Sequence, residues 1–175
     1  MVIHEMTLEE CRDVLSQANV ARLTCAMDDQ PYVVPVYLAY DGTYLFGFAT
    51  MGYKIDCMRS NPQVCVEIDE IKSQNQWMSV VVFGKYEELP DTPEYEVTRA
   101  HAHDLLQKRA MWWQPACVAI DDRDYPKTFS PIFYRIHIDR MTGRRASPNL
   151  VKDHPSALAT DQSWFSKVLE RVLPR

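Results

Sequence analysis

No apolar run in this chain is long enough to cross a bilayer. Nor does a basic, apolar leader open it, since MVIHEMTLEECRD is polar and acidic. These absences argue against a membrane-spanning helix and a secretion signal, and the expected compartment is the cytoplasm. Concentrated positive charge is missing as well. The formal net charge is −5, and Arg144, Arg145 and Lys152 make only a sparse basic group, so nucleic acid is not an expected partner. The five cysteines, Cys11, Cys25, Cys57, Cys65 and Cys117, contain no C-x-x-C. That removes a dithiol redox motif and a zinc clip, and leaves small hydrophobes suited to burial; Cys57 is the one thiol whose position also admits reactivity. His101 and His103 stand at i and i+2, which do not share a helix face, so no metal pair is expected. No internal repeat, low-complexity tract or nucleophile–base pair stands out.

What is present is enough for one core. Of 175 residues, 46% are hydrophobic, which fits a single domain with some chain left for extensions. Thr7-Leu-Glu-Glu10 reads as a capping box before a helix ending near Asn19. Val20–Met27 reads as a strand closed by the turn Asp28-Asp29-Gln30-Pro31. Val64, Val66 and Ile68 alternate with Cys65, Glu67 and Asp69, and Trp77–Leu89 is a long strand with Gly84 as its bulge or bend. Asp91-Thr92-Pro93-Glu94 predicts the start of a helix running to about Arg109. Ile132–Ile138 returns to strand. Six strands joined mostly by tight turns, with two or three helices, predict a mainly β fold: an antiparallel barrel with peripheral helices. The expected domain is 1–145. Residues 146–175 read as a linker and then, from Ser163, a short amphipathic helix with Trp164, Val168, Leu169 and Val172 placed to dock on the barrel or a partner.

The richest stretch is Pro31 to Lys54, PYVVPVYLAYDGTYLFGFATMGYK. Two strands, Tyr32–Tyr40 and Thr43–Ala49, flank Asp41-Gly42, a signal for a two-residue hairpin turn with both central φ positive. Next come a hydroxyl, a glycine and a lysine where a helix begins. Thr50 is placed to cap that helix, Gly52 lets backbone approach a ligand, and Lys54 lies in the first turn. Pro62 ends the helix at Asn61. Helix N–H groups, the positive end of the dipole and an ammonium together hold a phosphate, here the phosphate end of a nucleotide cofactor.

PYVVPVYLAYDGTYLFGFATMGYKIDCMRSNPQVCVEID, then WMSVVVFGKYEEL and PIFYRIHIDRMTGRR, resembles the flavin-binding split barrels related to pyridoxamine 5′-phosphate oxidase, in the nitroimidazole-resistance-type branch. The resemblance implies a six-stranded antiparallel split β-barrel that binds FMN as a homodimer, with cofactor at the interface. It implies that Val33, Val34, Pro35 and Val36 line the cofactor, that Ala49 and Tyr53 also bind it, and that Lys54, with Thr50 and Gly52, holds its phosphate. Pro35 also reads as an edge-strand residue, and the two readings are compatible. Trp77 and Ser79 are implied to reach the flavin ring from the second protomer, although Trp77 also reads as plain packing. Ser79 stands where the oxidases use a glutamine, and Tyr53 precedes Lys54 where they carry adjacent basic residues. Both departures disfavour a phosphorylated amine substrate. Arg144 or Arg145 matches the region of substrate-phosphate contacts. In Met111-Trp112-Trp113-Gln114-Pro115, Trp113 is either core filler or a lid over a flat ring. The implied activity is oxidoreductase, reducing a small organic acceptor such as a nitroaromatic with electrons from reduced nicotinamide. A non-enzymatic flavin or haem carrier or sensor is the alternative, with His137 of the right type for a haem ligand.

Overall fold

The computed structural model describes residues 1–109 and 131–148. In chain order the elements are β1 (Val2–Glu5), α1 (Leu8–Gln17), β2 (Val20–Met27), β3 (Gln30–Tyr40), β4 (Tyr44–Ala49) and α2 (Tyr53–Ser60). Then follow β5 (Gln63–Ser73), β6 (Gln76–Leu89), α3 (Glu96–Leu106) and β7 (Ile132–Ser147). The sheet order is β1-β7-β4-β3-β2-β5-β6, and β6 also pairs with β7. The six strands β2 to β7 therefore close into an antiparallel ring, as expected from their pattern, with β1 added outside it.

Closure depends on β7 changing partners. Its first half, from Phe133 to His137, lies between β4 and β6, and its last residues, from Arg144 to Ala146, lie between β1 and β6. Between these halves the register shifts: Phe83 faces Arg140 but Gly84 faces Ile138, which leaves Asp139 unopposed. This is the bend expected at Gly84. A side chain there would strike the carbonyl of His137, so the glycine is required by close approach.

Inside the ring, Leu23, Val66, Val80, Val82, Tyr134 and Ile136 are fully buried. α1 closes one end with Cys11 and Leu15, held by the predicted capping box between Thr7 and Glu10. α2 inserts Ile55, Cys57 and Met58, and full burial of an aliphatic or thioether side chain such as Ile55 or Met58 contributes about 1.5–3 kcal/mol. Outside the ring, Ala102 and Leu106 of α3 pack with Phe46, Phe48, Leu89 and Phe133 in a second cluster.

Several local expectations need correction. Asp41-Gly42 is not a two-residue turn: β3 and β4 are joined by three residues, and only Gly42 has positive φ. Asp41 instead folds its side chain back, accepting from the amides of Thr43 and Tyr44 at 2.8 and 2.7 Å. The tight turn with paired positive φ lies between β2 and β3, at Asp28 (51°) and Asp29 (60°), where Met27 faces Gln30. α2 is capped by Gly52 rather than Thr50. α3 starts at Glu96, because residues 91–95 form turns stabilised by Thr92 and Tyr95 amide bonds. β7 runs on to Ser147, well beyond the strand expected over Ile132–Ile138, and β1 was not expected. The rest of the C-terminal extension and Trp113 lie outside the described residues. Among the described residues no helix is long and apolar enough to cross a membrane.

Candidate functional site

A cleft of about 410 Å³ opens between β3, the end of β4 and the start of α2. β3 contributes Val34, Pro35 and Val36, with Tyr32 and Tyr37 on either side. β4 contributes Phe48, and the connection into α2 contributes Thr50, Met51, Gly52, Tyr53 and Lys54. One wall is thus largely apolar, and one corner is polar and cationic.

The corner is built by the helix start. Gly52 O accepts from the amides of Ile55 (2.9 Å) and Asp56 (3.2 Å). The first-turn amides of Tyr53 and Lys54 have no acceptor within the helix, and the dipole directs its positive end to the same place. A Cβ on Gly52 would meet nothing, and its φ of 165° is ordinary extended backbone, so the glycine answers to no need of this chain's own packing. Lys54 is partly buried. Burial lowers its pKa from the usual lysine value, and the only opposing influence is the Cys25 thiol. No carboxylate among the described residues pairs with it.

α2 is fixed in place from both ends. Its apolar residues sit in the barrel core, and Arg59 donates twice to Glu88 of β6, Nε to Oε2 at 2.8 Å and Nη2 to Oε1 at 2.7 Å. Arg59 also reaches Met51 Sδ at 3.6 Å, which ties the connecting loop to the same anchor. At the cleft mouth the rings of Tyr32 and Tyr53 meet edge to face, with centroids 5.0 Å apart.

Of the residues expected here, Val34, Pro35, Val36, Thr50, Gly52, Tyr53 and Lys54 line the cleft together. Ala49 is buried in the core beside it. Val33 is 58% exposed and is not part of the lining. Trp77, Ser79 and Arg144 lie elsewhere, on β6 and β7, where Ser79 and Arg144 are direct cross-strand partners. Ser79 donates to Glu67 Oε1 at 3.0 Å, and Glu67 in turn pairs with Arg22 at 3.0 Å. Sequence reasoning missed Tyr32, Tyr37, Phe48 and Met51. The two-residue period of β3 marks Tyr32 as facing with Val34 and Val36; for Phe48 and Met51 no such signal exists.

The thiols are as expected among the described residues. Cys11, Cys25 and Cys57 are buried and Cys65 half-buried. Burial, with Cys57 beside it, pushes the Cys25 thiol up to about 11. His101 pairs with Asp41 (3.3 Å) and His103 with Asp104 (3.7 Å), on separate sides of α3. No group of metal-ligating side chains exists among the described residues. His137 is exposed, pairs with Asp139 at 3.2 Å and is not part of the cleft lining.

The pattern of known proteins agrees with this architecture. The family model described as pyridoxamine 5′-phosphate oxidase matches residues 7–145. An uncharacterized protein of Rhizobium meliloti (strain 1021) is 43% identical over 146 residues, covering 83% of this chain and 97% of its own. A solved FAD-binding protein from Mesorhizobium loti is 40% identical with a TM-score of 0.69, covering 85% of this chain and 99% of the other. The FAD binding protein from Mycobacterium smegmatis shares the fold at 19% identity and a TM-score of 0.57, over 81% of this chain and 98% of that one. The six-stranded closed ring, with its cleft at the start of α2, thus belongs to a chain of the pyridoxamine 5′-phosphate oxidase family.

Proposed function

We propose that the cleft binds a flavin nucleotide and that the protein is a flavin-dependent oxidoreductase acting on a small organic acceptor, such as a nitroaromatic, with electrons from reduced nicotinamide. Lys54 carries the binding half of this reading. An ammonium that is partly desolvated and lacks a carboxylate partner among the described residues is costly unless an anion completes it. A phosphate there gains that charge, the Tyr53 and Lys54 amides and the helix dipole. FMN is the smallest flavin that supplies it. The FAD-binding name of the M. loti protein supports a flavin as the ligand class.

The apolar wall at Val34, Pro35 and Val36 suits one side of a flat ring, and Pro35 has no amide to leave unpaired against it. A bound flavin supplies hydride transfer, which requires no nucleophile from the protein. The lining fits that division of labour, since among the described residues it holds no histidine, carboxylate or thiol. The chain's own residues bind, orient and exclude water.

The active form is proposed to be a homodimer. Val33, Thr24, Cys65 and Phe83 form one cross-strand row on the outside of β3, β2, β5 and β6. Val33 and Phe83 are exposed at 58% and 38%, an apolar face that a second copy would cover. Trp77 and Ser79 stand on the same long strand β6 and would approach the partner's cofactor. The visible spectrum of purified protein tests the reading: flavin bands support it, and a chain that takes up no flavin refutes it. Reduced nicotinamide under anaerobic conditions should then bleach those bands. A tightly held flavin that stays oxidised would mark a carrier or sensor.

A further inference from the structure

Where α1 closes the end of the ring, it leaves one side open. A second cleft, of about 490 Å³, lies between α1, the start of β2 and the facing stretch of β5 and β6. It shares no lining residue with the first cleft, and it includes none of the outer row proposed for the dimer. Its floor is apolar, built from Met6, Val14, Ala18, Val20, Ile68 and Met78. Val20 is 49% exposed there, and the two thioethers adapt to varied apolar shapes.

The rim is charged, and mostly with one sign. Glu10 and Asp13 stand on α1, Asp69 and Glu70 on β5, and Arg145 is the only cation among the described lining residues. Two of these carboxylates are already answered. Arg145, which faces Met78 across the β6–β7 ladder, pairs with Glu10, and Asp69 pairs with Arg22. Glu70 meets Lys72 at 3.3 Å in a solvent-exposed pair of little strength, and no cation among the described residues pairs with Asp13. Uncompensated negative charge therefore stands over an apolar floor, and the low-dielectric walls concentrate its field inside the cleft.

We propose that this cleft is a second binding site, for a small organic cation: a protonated amine carried on an apolar body. Its volume lies within the range of small-molecule pockets. The apolar body covers the floor at Val20, Ile68 and Met78. The ammonium donates to the carboxylates of Asp13 and Glu70, with the side-chain carbonyl of Gln17 as a further acceptor. An anion, a phosphorylated ligand included, meets repulsion there and a single guanidinium that Glu10 already occupies. The site is thus opposite in charge to the corner at Lys54, and it stands whether or not the first cleft holds a flavin.

Calorimetric titration of the full-length protein at neutral pH with octylamine, octanol and octanoate, with and without saturating FMN, tests this. Wild type should bind octylamine about tenfold or more tightly than octanol, and octanoate more weakly than either. Asp13→Asn combined with Glu70→Gln should bring octylamine down to the level of octanol and leave octanol unchanged. Val20→Arg, which sets a cation at an exposed position of the lining, should by itself weaken octylamine about tenfold. Melting temperatures confirm the fold of each variant, and either variant alone decides. Octylamine bound no more tightly than octanoate, unaffected by either variant, or not bound at millimolar concentration overturns the inference. Displacement of octylamine by FMN also overturns it, by placing the amine in the first cleft.

Discussion

Gly47 and Tyr134 occupy the same space: a Cβ on Gly47 would fall inside the ring and hydroxyl of Tyr134. The two are cross-strand partners on β4 and β7, and the glycine lets the largest fully buried side chain of the barrel cross its neighbour strand. That placement leaves the Tyr134 hydroxyl buried without a hydrogen-bond partner among the described residues, and burial pushes its pKa upward. Gly47→Ala should destabilise by about 1–3 kcal/mol through overpacking. Tyr134→Phe should be neutral or stabilising by about 1 kcal/mol, since it removes an unpaired polar atom. Denaturant unfolding of both variants decides. A large loss in Tyr134→Phe would mean that the hydroxyl has a partner.

Lys54 links stability to ligand in opposite senses. Its folded pKa is depressed, so the unfolded chain binds more protons between that value and the usual lysine value. Stability of the flavin-free protein should therefore rise with pH across that window. Lys54→Met should abolish the rise and raise the melting temperature of the flavin-free protein. The same change should weaken FMN by about 1.5–3 kcal/mol while hardly altering riboflavin, which has no phosphate. Equal losses for the two ligands would remove the phosphate from Lys54.

The Arg59–Glu88 pair gives a pH dependence of the same sign in the acid range. Two hydrogen bonds from Arg59 hold the Glu88 carboxyl below its ordinary pKa, and the Tyr86 hydroxyl adds a third at 3.0 Å. A depressed carboxylate stabilises fully above its unfolded pKa, and that contribution is lost as pH falls through the folded value. From about pH 4 downward, wild type should lose stability more steeply than Glu88→Gln. Flavin release should accompany the loss, because Arg59 also holds Met51 of the cleft loop. Parallel melting curves for the two proteins across the acid range would show that the pair anchors nothing.

The exposed row on β3, β2, β5 and β6 sets a test of assembly. Val33→Glu places a charge at the end of that row, outside the cleft lining, where no buried contact of its own protomer is disturbed. In light scattering at micromolar concentration with flavin present, wild type should run as a dimer and Val33→Glu as a monomer with reduced flavin retention. A monomeric wild type refutes the dimer outright.

Much of this fold was legible because burial writes a two-residue period. β5 reads as buried and half-buried in alternation from Val64 to Asp69, and β6 behaves similarly through Val80 and Val82. β1 left no such trace, since all four of its residues are exposed and only backbone pairing to β7 holds it. The tight turn was misplaced because Asp41-Gly42 carries the stronger glycine signal, whereas Asp28 and Asp29 adopt positive φ without glycine. At the site, the order hydroxyl, glycine, lysine and helix was enough to locate the corner. The partial burial of Lys54 and the meeting of Tyr32 with Tyr53 depend on how α2 is laid across the barrel, and no local pattern encodes that.

The composition of the cleft bears finally on turnover. Among the described residues, its ionisable groups are Lys54 and the phenols Tyr32, Tyr37 and Tyr53. Lysine and tyrosine side chains ordinarily titrate near or above pH 10; burial lowers Lys54 from that value, while Tyr53 is shifted higher, chiefly by its contact with Cys57. A reaction served only by these residues and a flavin needs no protein acid or base near neutrality. Acceptor reduction with reduced nicotinamide should then show kcat/KM nearly flat from about pH 6 to about pH 8. Loss of affinity should appear only on the alkaline side, as Lys54 gives up its proton and its hold on phosphate. A bell-shaped profile with a limb near neutrality would bring a histidine or a raised carboxyl into the reaction from outside this lining, and would overturn the assignment of the chemistry to the cofactor alone.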